Sequence, residues 1–61
     1  MSTLVAVVDD HRLYRETLAD VIRKFDQYDV LLTAENGRDL LEQLTRVGMI
    51  LEAVRHGLIV L

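Results

Sequence analysis

The sequence has no cysteine, no proline and no tryptophan, and only three glycines among its 61 residues. Without cysteine no disulfide can brace the fold, and an intracellular, reducing compartment is compatible with that absence. Without proline no helix is broken by a missing backbone N–H. Long apolar runs are also missing. Every uncharged apolar stretch falls far short of the ~20 residues that span a bilayer, and the amino terminus shows neither the basic flank nor the cleavage site of a signal peptide. A soluble, cytoplasmic protein without membrane contact is the expectation. Basic runs are absent too: seven Lys and Arg stand against ten Asp and Glu, for a net charge of −3. Such a chain offers no electrostatic footprint for a phosphate backbone, and nucleic-acid binding by this segment is not expected.

What remains is a short chain rich in apolar residues. Hydrophobic residues make up 51% and charged residues 28%, a balance that favours a packed core over disorder. A chain of this length forms one domain, residues 1–61, and buries only about 60% of the surface that its unfolded form exposes. With no disulfide to help, the expected remedy is a partner subunit, most simply a second copy in a homodimer.

Leu4-Val5-Ala6-Val7-Val8 is a continuous, largely β-branched run that ends at two acids, the pattern of a central parallel strand buried on both faces. Asp9 or Asp10 can cap the helix that follows. In that helix Leu13, Thr17, Leu18, Val21, Ile22 and Phe25 recur at helical spacing, with Arg12, Arg15, Glu16, Asp20 and Arg23 between them. After Asp26-Gln27, the segment from Tyr28 to Ala34 reads as a second strand closed by Glu35-Asn36-Gly37. Leu40, Leu44, Val47, Leu51, Val54 and Leu58 then step by fours and threes. Gly48 can end the second helix or merely interrupt it, and the pattern favours one helix from Arg38 to His56, running through Gly48 and capped by Gly57 with Arg55 and His56 in its last turn. Leu58-Ile59-Val60-Leu61 completes the pattern as a short buried strand. The predicted order is β-α-β-α-β, an α/β fold with a parallel sheet and right-handed crossovers.

Asp9 and Asp10, at the carboxyl end of the first strand, are the strongest candidates for chemistry. Open α/β sheets bind ligands beyond their carboxyl strand ends, and two carboxylates there can hold Mg²⁺, which keeps several of its waters. An acid ahead of a helix is equally a favoured cap and a favourable charge near the positive helix terminus, so both readings stand on the residues alone. His11 and His56 have no evident partners for metal binding or nucleophilic catalysis. No serine lies in a nucleophile elbow, and Asn36-Gly37 is not a phosphate-binding glycine loop. Arg12, Arg15, Arg23 and Lys24 read as a solvated helix face balancing Glu16 and Asp20. The chain does not read as an enzyme.

The run from Leu4 to Glu16, with its strand followed by Asp9-Asp10-His11-Arg12-Leu13 and Arg15-Glu16, resembles the opening of bacterial two-component response-regulator receiver domains. The later Ala34-Glu35-Asn36-Gly37-Arg38-Asp39-Leu40-Leu41 extends the likeness, which covers about Leu4 to Arg46 and is nearest to the branch with a helix-turn-helix DNA-binding output. The resemblance implies a flavodoxin-like, five-stranded parallel sheet. It also implies Mg²⁺ on Asp9 and Asp10, beside a third-strand Asp that takes phosphate from a histidine kinase. That phosphoacceptor has no counterpart: with Leu58–Leu61 aligned to the third strand, the chain stops one residue before it. The spacing from Asn36 to that strand is several residues longer than the family's usual spacing. Another alignment sets Ile50–Gly57 against the later helix that precedes the fifth strand. The switch Thr or Ser, the strand-end Lys and the output domain have no counterpart either.

The expectation is therefore a partial receiver-like domain, a half of the flavodoxin-like fold completed by homodimerisation. It belongs to phosphorelay signalling but is not competent for phosphorelay alone, and a histidine kinase is a partner only of the intact parent. The alternative is a truncated or engineered module whose only activity is to fold and self-assemble.

Overall fold

The computed structural model describes residues 3–61, a small α/β domain in the order β1 (Thr3–Val8), α1 (Arg12–Ile22), β2 (Tyr28–Ala34), α2 (Gly37–Arg46), α3 (Ile50–His56) and β3 (Leu58–Val60). The three strands form one parallel sheet in the order β2-β1-β3. As its unbroken apolar run predicts, β1 is central, and Val5, Ala6 and Val7 are fully buried. Right-handed crossovers set α1 on one face and the α2–α3 pair on the other. Val5 and Val7 accordingly pack with Ala19 and Ile22 of α1, while strand alternation turns Ala6 to the opposite face.

The predicted single second helix is two. Gly48 takes a left-handed φ of 69°, and the Gly48 N–H donates to the Thr45 carbonyl while the Met49 N–H donates to the Leu44 carbonyl at 2.9 Å. These paired bonds are a Schellman motif, which satisfies the last carbonyls of α2 and turns the chain before α3 begins. The apolar spacing that suggested one helix does not mark an inward face beyond the break: Val47, Leu51 and Val54 are exposed, and the half-buried residues of α3 are Glu52 and Ala53. Gly57, with φ 77° and ψ 141°, caps α3 as predicted, in a region of backbone space essentially confined to glycine.

Three further expectations change. The inward stripe of α1 is Arg15, Leu18, Ala19 and Ile22, whereas Thr17, Val21 and Phe25 are exposed and Leu13 is 78% exposed. The small Ala19 lets the helix approach the sheet closely, rotating the bulkier apolar flank away from it. The helix also ends at Ile22, short of the predicted Phe25, as tighter turns carry Lys24 N–H to Val21 and Phe25 N–H to Ile22. The final strand forms where expected but is not buried, since Ile59 and Val60 stand open at the sheet edge. No helix among the described residues is long and apolar enough to cross a membrane.

Because Gly48 has open space where a Cβ would go, its cost of replacement is set by backbone conformation alone. Gly48→Ala should lower stability by about 1 kcal/mol, the penalty of left-handed backbone for an L-residue. Denaturant titration at fixed protein concentration checks this, and unchanged or increased stability would show that the positive φ is not what ends α2.

Candidate functional site

The site is built on the exit of β1. Val8 N–H donates to the Leu61 carbonyl at 2.8 Å, just beyond β3, and Asp9 N–H donates to the Ala34 carbonyl at 3.0 Å, at the end of β2. The chain is thus held on both sides up to Asp9, and Asp10 and His11 turn it into α1. Neither acid caps that helix: His11 occupies the cap position and its side chain makes no capping bond. Asp9 Oδ1 instead accepts the His11 N–H at 2.7 Å, an Asx turn that competes with helix entry.

This turn folds the imidazole back over both carboxylates. His11 Nδ1 lies 3.0 Å from Asp9 Oδ1 and 2.9 Å from Asp10 Oδ1. His11 thereby acquires the acidic partners that its sequence neighbourhood did not disclose, and potential ligand atoms of Asp9, Asp10 and His11 fall within 4.8 Å of one another. The available sequence signal was the acid two residues ahead of the histidine, the spacing of an Asx turn. His56 is elsewhere: it precedes β3 at the opposite end of the parallel sheet and pairs with Glu52 at 3.4 Å.

Arg15 is not the solvated cation expected of it. Its Nη1 donates to the Asp9 carbonyl at 2.8 Å, bracing the strand exit from one helical turn away, and its buried Nε has no partner. The other helix cations fit the solvated-face reading, with Arg12 on Glu16 and Arg23 on Asp20 across exposed surface. At the neighbouring strand end, Asn36 caps α2 by accepting the Asp39 N–H at 2.8 Å, and Asp39 reaches back to the Glu35 N–H. Beside the acids an open depression of 780 Å³ is lined by Asp9, His11, Leu13, Tyr14 and Thr17. It excludes little water, so any cation there keeps part of its hydration shell.

The electrostatics follow from this geometry. The backbone N–H and then the ring of His11 hold the Asp9 carboxyl below its ordinary 3.8. The Asp9 hydrogen bond, followed by the charges of Asp10 and Asp9, raises the His11 imidazole above its ordinary 6.5. Chemically the cluster is an anionic lip able to take one compact positive charge, either the imidazolium or a hard divalent ion. Searches against protein-family models, curated proteins and solved structures return no match to this chain.

The pH dependence has a defined sign. The His11 contribution to stability is full below 6.5 and is lost as pH rises through its elevated folded value. The Asp9 contribution is present above 3.8 and is lost as pH falls through its depressed folded value, so the pair helps most between the two ordinary values. In metal-free solution, NMR titration of the His11 ring should give a midpoint above 6.5 that moves back toward it in Asp9→Asn. A midpoint indifferent to that substitution would show that the ring does not bond to Asp9.

Proposed function

We propose that this chain is a receiver-type module of two-component signalling, with Asp9 and Asp10 as its Mg²⁺ ligands, and that in this 61-residue form it accepts no phosphoryl group. The observation that carries the reading is the pairing of β3 with β1. It yields the order β2-β1-β3, the beginning of the flavodoxin-like order 2-1-3-4-5, whose ligand crevice lies beyond the carboxyl ends of the strands where the order switches. Of the two alignments, this favours β3 as the counterpart of the third strand, since the fifth strand of that order does not adjoin the first. The hydrogen bond from Val8 to Leu61 supports it further by setting the end of that strand beside the acid pair.

The donor set suits the ion. The Oδ1 atoms of Asp9 and Asp10 converge on a single point, the His11 Nδ1, where they already accommodate a proton-bearing nitrogen. A bound Mg²⁺ would supply charge neutralisation for an incoming phosphate. The chain's own residues do the positioning: Arg15 fixes the Asp9 backbone, and the two flanking strand ends hold the approach to the acids. The segment Leu58-Ile59-Val60-Leu61 contributes no side-chain carboxylate to accept a phosphoryl group. Metal and phosphate chemistry here is binding rather than turnover, and the role is not enzymatic.

A second reading, a structural module that folds and self-assembles while the acids serve only the turn, is favoured by the exposed apolar residues of α1, α3 and β3. Metal separates the two. Titrating Mg²⁺ should shift the amide resonances of Asp9, Asp10 and His11 and raise the melting temperature, and Asp9→Asn should abolish both responses. A variant that alters stability while leaving the Mg²⁺ response intact would refute the signalling site. In the same samples a small-molecule phosphodonor should leave no acyl-phosphate, and detecting one would overturn the assignment of this form as phosphorelay-incompetent.

A further inference from the structure

Asn36 is the chain's one asparagine, and the residue after it is glycine. In that pairing the next backbone nitrogen reaches the side-chain carbonyl most readily, because glycine brings no Cβ to the approach. Both residues are exposed. The Gly37 N–H opens α2, so no carbonyl inside the helix can accept it, and it has no partner among the described residues. The space around it is equally open, with nothing within 4 Å of where a Gly37 Cβ would lie. An electrophile and a nucleophile thus stand side by side at the surface.

What holds them apart is the helix cap. Asn36 Oδ1 accepts the Asp39 N–H at 2.8 Å, and the Asn36 backbone is fully extended, with φ −160° and ψ 177°. That ψ turns the Gly37 nitrogen away from the near-planar arrangement that a five-membered ring with Asn36 Cγ needs. The Asp39 carboxylate in turn accepts the Glu35 N–H at 3.0 Å and the Gln43 side chain at 3.2 Å, and Gln43 also donates to the Thr33 carbonyl at 2.8 Å. The first turn of α2 is therefore laced to the end of β2 by exposed and half-buried bonds, the class that opens locally most readily.

We infer that Asn36 is a site of spontaneous deamidation and that opening of the α2 cap gates it. Once the cap opens, the Gly37 nitrogen gives up its proton to water and attacks Asn36 Cγ. The bond from Cγ to the side-chain nitrogen breaks, ammonia leaves, and a succinimide joins the two residues. Water then opens this ring at either carbonyl, so no oxidant, metal or cofactor enters the reaction. Opening at Cγ leaves aspartate, which caps a helix as well as asparagine does and places a negative charge at the positive terminus. Opening at the main-chain carbonyl leaves isoaspartate, which lengthens the backbone by one methylene and withdraws from it the carbonyl that accepts the Leu40 N–H at 3.0 Å. Either product adds one negative charge to a net −3, two residues beyond Ala34, whose carbonyl holds the Asp9 N–H. The inference needs neither a metal at the acids nor self-assembly.

Intact mass and peptide mapping of the chain aged in mildly alkaline buffer test it. The wild type should gain the mass difference between an amide and a carboxylate, localised to Asn36, with isoaspartate resolved as a second peptide peak. In urea, where the cap is open throughout, conversion should run more than about tenfold faster, since the native rate scales with the fraction of open first turns. Gly37→Ala adds a Cβ in open space at a residue outside the left-handed region. It should keep the fold by circular dichroism and slow conversion at least about tenfold, in urea as in buffer. The urea arm reads that effect independently of folding. Equal rates in the native and unfolded chains would overturn the cap as the gate. Absence of the mass gain in the native chain, or conversion of Gly37→Ala as fast as the wild type, would overturn the site.

Discussion

Everything in this small domain hangs on β1 being paired on both sides. Its residues from Val5 to Val7 are the most deeply buried apolar segment, its ladder to β2 runs the full length from Thr3 to Val8, and its shorter ladder to β3 reaches Ala6. Chain connectivity follows, because a parallel neighbour requires a crossover, and two crossovers to opposite sides of one strand need helices on both faces. The position of the acids follows as well, since the strand that organises the core delivers Asp9 and Asp10 at its exit.

The same constraint leaves the domain thinly covered. The buried apolar set includes Ala6, Ala19 and Ala34, three side chains of a single methyl, which permit close approach but contribute little burial each. Larger residues, Leu13, Val54 and Phe25 among them, remain at the surface. One helix and three strands cannot enclose the apolar flank that α1 presents on the β3 side, where Phe25, Ile59 and Leu61 form an open wall. Part of the apolar excess in the composition thus lies on exposed surface.

How far the sequence disclosed this depends on whether a feature is local. β1, β2 and the Gly57 cap were legible because each rests on a short pattern with a backbone reason, whereas Asn36 was read only as loop and is shown by the structure to cap α2. The break at Gly48 stayed open, because a glycine penalty of about 1 kcal/mol in a helix does not decide against a continuing apolar stripe. The bonds from Gly48 and Met49 back to Thr45 and Leu44, with the positive φ of Gly48, decide the break. On α1 two apolar flanks competed, and the choice fell to the one containing Ala19, since contact distance rather than hydrophobicity selects the face. The placement of the acid pair at the strand exit was legible, whereas the position of His11 depends on an Asx turn that draws its ring back over Asp9.

The account turns on β3 lying against β1, because that pairing sets the strand order and brings the end of the last strand beside the acids. Amide hydrogen exchange reads it residue by residue. The Asp9 N–H is held by β2 through Ala34 and the Val8 N–H by the β3 side through Leu61, so the two adjacent amides report on the two sides of the central strand. The account predicts comparable protection at both, at the level of the most stable core amides. Protection of Asp9 with free exchange at Val8 would mean that β3 is not docked, and would contradict the strand order on which the proposed site depends.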